Sequence, residues 1–109
     1  MNDISFELDS TINTRGTSKK GVITTTFNHL VDTFGKPVRS KDNSIHYEWP
    51  IRFEVPADND PTETDFVIAV IYDWNLNVDP ASRPGDKIEF NIGGHNLEAA
   101  YYVHLVLGE

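Results

Sequence analysis

The chain has 109 residues, 39% of them hydrophobic, which is the size of one small domain (1–109) with a modest core. It contains no cysteine, so disulfides and thiolate metal sites are excluded. Seventeen Asp and Glu against nine Lys and Arg give a net charge of −8, a balance that excludes direct binding to nucleic-acid phosphates.

The elements follow in chain order. Residues 4–8, ISFEL, put Ile4, Phe6 and Leu8 on one face and predict a short strand. The polar run from Asp9 to Gly21 reads as a connection, and residues 1–23 as a partly mobile leading segment. In TTTFNHLVDTFGKP, Phe27, Leu30, Val31 and Phe34 recur at helical spacing. A threonine near position 24 supplies the cap, Gly35 suits a left-handed residue past the end, and Pro37 stops the helix.

IHYEWPIRFEV, 45–55, alternates: Ile45, Tyr47, Trp49, Ile51, Phe53 and Val55 face one way, and His46, Glu48, Pro50, Arg52 and Glu54 the other. Pro50 has no N–H for a ladder, so this strand is expected at a sheet edge or with a bulge. PADNDPTETD is an acidic hairpin loop. FVIAVIYDW, 66–74, is apolar on both faces until Asp73, the pattern of a central strand. After a second loop, KIEFNI, 87–92, alternates again.

In the tail, YYVHLVL leans toward strand, but Asn96 is a good cap and Leu97 to Ala100 are good helix formers, which predicts a helix. The sum is an α+β fold in the order β-α-β-β-β-α. It has an antiparallel sheet of three to four strands with two helices on one face.

The charge is uneven. Residues 1–56 balance, seven basic against seven acidic, whereas residues 57–109 hold ten acidic residues and only Arg83 and Lys87. Such a surface attracts basic protein partners. The opening MNDISFELDS lacks the basic and apolar regions of a secretion signal, and no apolar run approaches the roughly 18 residues of a membrane span. A cytoplasmic protein with no membrane contact is expected.

Candidate site residues form two groups. Gly93-Gly94, before His95 and Asn96, read first as a strand-to-helix corner that uses positive φ and close packing. Their alternative is an anion cradle, but neither a dinucleotide nor a P-loop spacing is present and the surrounding half is acidic. Asp73 and Trp74 end the central strand, and Asp73 is expected to approach His95, a pair that still needs a nucleophile to act. Asp58, Asp60, Glu63 and Asp65 crowd one loop. Position six from Asp58 is Glu63 and position twelve is Ala69, so the calcium-loop pattern fails. The four histidines lack the spacing of a helical metal site, and no catalytic residue, metal or cofactor is assigned.

LVDTFGKP, HYEWPIRF, FVIAVIYDW and FNIGGHN, in that order, resemble a family of small, mostly uncharacterised α+β proteins encoded by bacteriophages. These carry F-G-x-P, x-E-W, Y-D-W and I-G-G segments, and the likeness covers roughly residues 24–107. It implies the host cytoplasm as location but no reaction and no site residues. A looser similarity is to small antiparallel-sheet inhibitor modules, a fold-level analogy that names no target.

Three function classes follow as expectations. The first is a non-enzymatic phage accessory protein that binds a host or phage protein. Its sharpest form inhibits a host defence or nucleic-acid enzyme through an acidic surface. The second is a small-ligand or enzymatic site at the Asp73, Trp74, Gly93, Gly94 and His95 corner. The third is a structural or homo-oligomeric protein using the edge at Pro50 or the apolar tail.

Overall fold

A computed structural model describes residues 4–12, 15–57, 59, 60 and 62–109. The strands are β1 Ser5–Leu8, β2 Ser18–Thr26, β3 Val38–Arg39, β4 Tyr47–Pro56, β5 Thr64–Tyr72 and β6 Lys87–Gly94. Helix α1, Phe27–Phe34, lies between β2 and β3, and α2, Glu98–Leu107, follows β6. The order across the sheet is β1-β4-β5-β6-β2, with β3 also paired to β4. Every pairing is antiparallel. The α+β class, the antiparallel sheet and the two helices agree with expectation. Among the described residues there are six strands instead of three to four, and the element order is β-β-α-β-β-β-β-α.

The largest departure is β2, which occupies part of the predicted connection. Lys19, Lys20 and Gly21 hide its alternation, and a register shift between Lys19 and Gly21 breaks the period. Beyond the shift, Ile23 and Thr25 are buried and Thr24 is exposed, and the β-branched run VITTT favours extension. The strand pairs with β6 from Thr26 opposite Lys87 to Ser18 opposite Gly94. It runs directly into α1, and the expected capping threonine is Thr26: its hydroxyl accepts the His29 N–H at 3.0 Å. At the other end Gly35 takes φ 104, and its N–H donates to the Val31 carbonyl at 2.9 Å.

Pro50 lies neither on an edge strand nor at a bulge. It faces Val70 on β5, and its carbonyl accepts the Asp9 N–H at 2.9 Å on the β1 side. In an antiparallel strand a residue's N–H and C=O point the same way, so the missing donor also points to that side. There β1 has ended at Leu8 opposite Ile51, and β3 begins at Val38 opposite Glu48. Two short strands share one edge of β4, and the proline sits at the gap between them.

Both helices cover one sheet face. Trp49, Ile51 and Phe53 of β4, Ile71 of β5 and Phe90 and Ile92 of β6 are fully buried there against Leu30 of α1 and Ala99 and Val103 of α2. Trp49 is packed edge-on by Phe27 and Phe90, and its Nε1–H donates to the Gly35 carbonyl at 2.9 Å. A buried indole that keeps its hydrogen bond adds area without a polar penalty. Among the described residues no helix covers the opposite sheet face, and Phe66 stays 57% exposed there with the Arg52 guanidinium over its ring. Leu97 just before α2, and Tyr101 and Leu105 on it, at i, i+4 and i+8, stay exposed. Among the described residues no helix is long and apolar enough to cross a membrane.

Candidate functional site

Asp73 is the most constrained polar residue in the chain, fully buried at the end of β5. The β4–β5 ladder closes at Glu48 opposite Tyr72. One step on, the Asp73 carboxylate replaces the ladder. It accepts the Tyr47 N–H at 2.8 Å, the His46 N–H at 3.0 and 3.1 Å, and the His46 Nδ1–H at 2.6 Å. Buried donors need partners, and this one side chain serves three. The Asn75 N–H then reaches the Ser44 carbonyl at 2.7 Å, with Asn75 at φ 55. The turn before β4 is thus tied to the segment after β5. His46, expected to point outward, is turned in by this anchor.

Asp73 therefore pairs with His46 and not with His95, and the predicted corner does not assemble. Val70 faces Gly93 and Ala69 faces Gly94, so His95 lies level with Ile68, five residues from Asp73, or roughly 17 Å along the strand. Asp73 and Trp74 are at one end of the sheet; Gly93, Gly94 and the exposed His95 are at the other. Trp74 projects beyond β5 and is 52% exposed. Gly93 and Gly94 continue β6 instead of turning out of it, paired with both β5 and β2. Neither adopts positive φ, and peptide groups held in a ladder do not form an anion nest. Close packing is the part of the expectation that holds. A Cβ on Gly94 would lie 2.4 Å from the Ala99 Cβ, and one on Gly93 would lie 3.0 Å from Val70 Cγ1.

The acidic residues also divide. Asp60, Glu63 and Asp65 lie at the β4–β5 hairpin end, and Asp65 shares a cavity of about 230 Å³ with Glu98. Asp58 lies outside the described residues. Asp79 and Asp86 lie in the β5–β6 connection at the opposite end, beside Arg39 at 3.7 Å and Arg83 at 3.9 Å. Asp60 accepts the Thr62 hydroxyl at 2.7 Å and the Thr62 N–H at 3.0 Å. These two bonds, the hydroxyl first, hold its carboxyl below the ordinary value. Its share of stability is present above the carboxylate range and is lost as pH falls through its lowered pKa. In a carboxyl NMR titration Asp60 is expected to protonate at lower pH than an ordinary exposed aspartate. Thr62→Ala is expected to raise it, and an unmoved Asp60 would refute the turn.

A concave surface not singled out in the sequence lies beside the Asp73 anchor. Phe27, Val31, Lys36, Pro37, Arg39, Tyr47 and Ala81 line a groove of about 430 Å³. Phe27 and Val31 are i, i+4 neighbours on α1, and only half-buried, whereas Leu30 and Phe34 of the same helix enter the core. Tyr47 is placed by its N–H on Asp73 and donates its hydroxyl to Asp79 at 3.2 Å. The other Asp79 oxygen accepts the Ala81 N–H at 2.8 Å and starts the 3-10 turn Pro80–Ser82, the groove's far wall. The Arg39 guanidinium lies 5.2 Å over the Tyr47 ring. Helix α1, the turn and strand after it, Tyr47 of β4 and the distant Ala81 supply the lining, so no single local pattern announced it. The one available signal was an apolar stripe on α1 wider than the core contact needs.

No protein-family model, curated protein or solved structure matches the chain. Among the described residues no group of three His, Asp or Glu side chains is placed to hold a metal ion. The His46–Asp73 pair has the outline of a proton-transfer dyad, but backbone donors occupy the carboxylate, and Ser40 beside the turn gives its hydroxyl to Glu48 at 3.0 Å. The pair acts as a clamp on the turn, and the groove is the surface it steadies.

Proposed function

We propose that this is a non-enzymatic binding protein that engages a protein partner in the groove between α1 and the Pro80–Ser82 turn. The single supporting observation is that groove: concave, apolar, and built on elements tied together by Asp73 and Asp79. Concave apolar sites with a few fixed polar groups are the usual form of a binding site. The likeness to phage-encoded proteins supports a host or phage protein as the partner, met in the host cytoplasm.

The acidic surface gives a second reading, favoured by Asp60, Glu63, Asp65 and Glu98 at one end. Inhibition of a basic nucleic-acid enzyme would use that end alone, because Asp79 and Asp86 lie at the other.

Capture of partners from bacterial lysate at low and high salt separates the two. Ala81→Glu fills the groove wall and is expected to weaken the captured interaction at least about tenfold at both salts. Asp60→Asn with Glu63→Gln and Asp65→Asn is expected to leave it unchanged. The opposite pattern, capture lost with the neutralised acids and at high salt but kept in Ala81→Glu, would overturn the groove reading.

A further inference from the structure

We infer that the groove's occupant is an extended acidic peptide segment carrying one bulky apolar anchor residue. This rests on the groove being the binding site.

Three observations give the chemistry. Phe27, Val31, Pro37, Tyr47 and Ala81 form an apolar floor suited to a large aliphatic or aromatic side chain. Among the described residues, the charged ones in the lining are two cations, Lys36 and Arg39, in a chain whose net charge is −8. Both are exposed, Arg39 with 71% of its side chain accessible. Asp79 contacts Arg39 at 3.7 Å but is itself occupied by Tyr47 and Ala81. Among the described residues no carboxylate pairs with Lys36. Two exposed cations on the rim of an apolar groove favour a ligand that carries carboxylates beside its apolar anchor.

The third observation concerns the backbone. The Ser40 N–H donates to the His46 carbonyl at 3.1 Å, and Arg39 faces Tyr47 across β3 and β4. The alternation of an antiparallel ladder then turns the Arg39 N–H and C=O away from β4. Among the described strands β3 pairs only with β4. A free donor and acceptor therefore border the groove beside the Arg39 guanidinium. An extended peptide can add to that edge, its main chain on Arg39, its anchor on Tyr47 and Val31, and its carboxylates on the two cations. A basic partner would meet Lys36 and Arg39 with like charge.

The test is selection of a random displayed-peptide library against the full chain, run in parallel on Ala81→Glu and on the double variant Lys36→Glu with Arg39→Glu. All three substituted positions lie outside the fully buried core, and circular dichroism verifies folding before selection. Wild type is expected to enrich peptides with several Asp or Glu flanking one Leu, Ile, Phe or Trp. Ala81→Glu is expected to lose that enrichment, and the charge-reversed variant to select basic peptides with the same anchor. Enrichment of neutral or basic peptides on wild type, abolished by Ala81→Glu, would overturn the acidic class and leave the groove as the binding site. Enrichment indifferent to Ala81→Glu would overturn both.

Discussion

Replacing Asp73 by alanine is expected to lower folding stability by about 3–5 kcal/mol, enough to unfold much of a marginal domain at 37 °C. The substitution strands the Tyr47 N–H, the His46 N–H and the His46 ring N–H, which all point at one buried carboxylate. Each buried donor left without a partner costs about 1–3 kcal/mol, and partial repair by water keeps the sum below three full penalties. Asp73→Asn keeps one acceptor oxygen, gives up the other, and is expected to fall between wild type and alanine. Urea unfolding followed by far-UV circular dichroism reads both. An alanine variant within about 1 kcal/mol of wild type would show that the anchor does not hold the turn. Where Asp73→Asn remains folded, the ring signals of Tyr47 and Phe27 are expected to shift most, because the groove floor hangs from the Tyr47 amide.

The second large effect is at Gly94. An added methyl would lie 2.4 Å from the Ala99 Cβ and 3.2 Å from the Ile68 carbonyl oxygen, with Ala99 itself fully buried. Neither neighbour is a flexible side-chain end, so α2 must lift from the sheet. Gly94→Ala is expected to cost about 1–3 kcal/mol or more. Adding Ala99→Gly returns the space at the price of a helix glycine, about 1 kcal/mol. The two changes together are expected to be less damaging than their sum. Gly93→Ala meets Val70 Cγ1 at 3.0 Å and Tyr72 Cε1 at 3.5 Å, side-chain ends on the face opposite α2, so its cost is expected to be smaller than that of Gly94→Ala. Equal losses at both glycines, or strict additivity at Gly94 and Ala99, would argue against helix packing as the reason for this pair.

These two residues also show what a sequence conveys and what it withholds. The run FVIAVIYDW, 66–74, apolar on both faces until Asp73, announced a central strand, and β5 is the middle one of the order β1-β4-β5-β6-β2. The tail was readable because Asn96 turns its side chain onto the Glu98 N–H at 3.0 Å, a local bond that local sequence encodes. The strand β2 was not readable, because two lysines and a glycine open it and its partner lies some seventy residues away. The glycine pair was assigned to a turn because glycine permits turns. Its actual cause, the approach of Ala99, depends on where the sheet carries α2. Asp73 and His95 looked adjacent because both follow strands, but antiparallel neighbours place their C-terminal ends at opposite ends of the sheet. The groove was the least legible feature, since Phe27 and Val31 read as core until Leu30 and Phe34 were seen to fill it.

The most direct test of a groove-binding protein is the footprint of its captured partner. Amide ¹H–¹⁵N shifts of the labelled chain would be followed as that partner is added. Perturbation is expected to centre on Phe27, Val31, Lys36, Arg39, Tyr47 and Ala81, with Asp60, Glu63, Asp65 and Glu98 unmoved. Perturbation centred on those four acidic residues, with the groove silent, would contradict it.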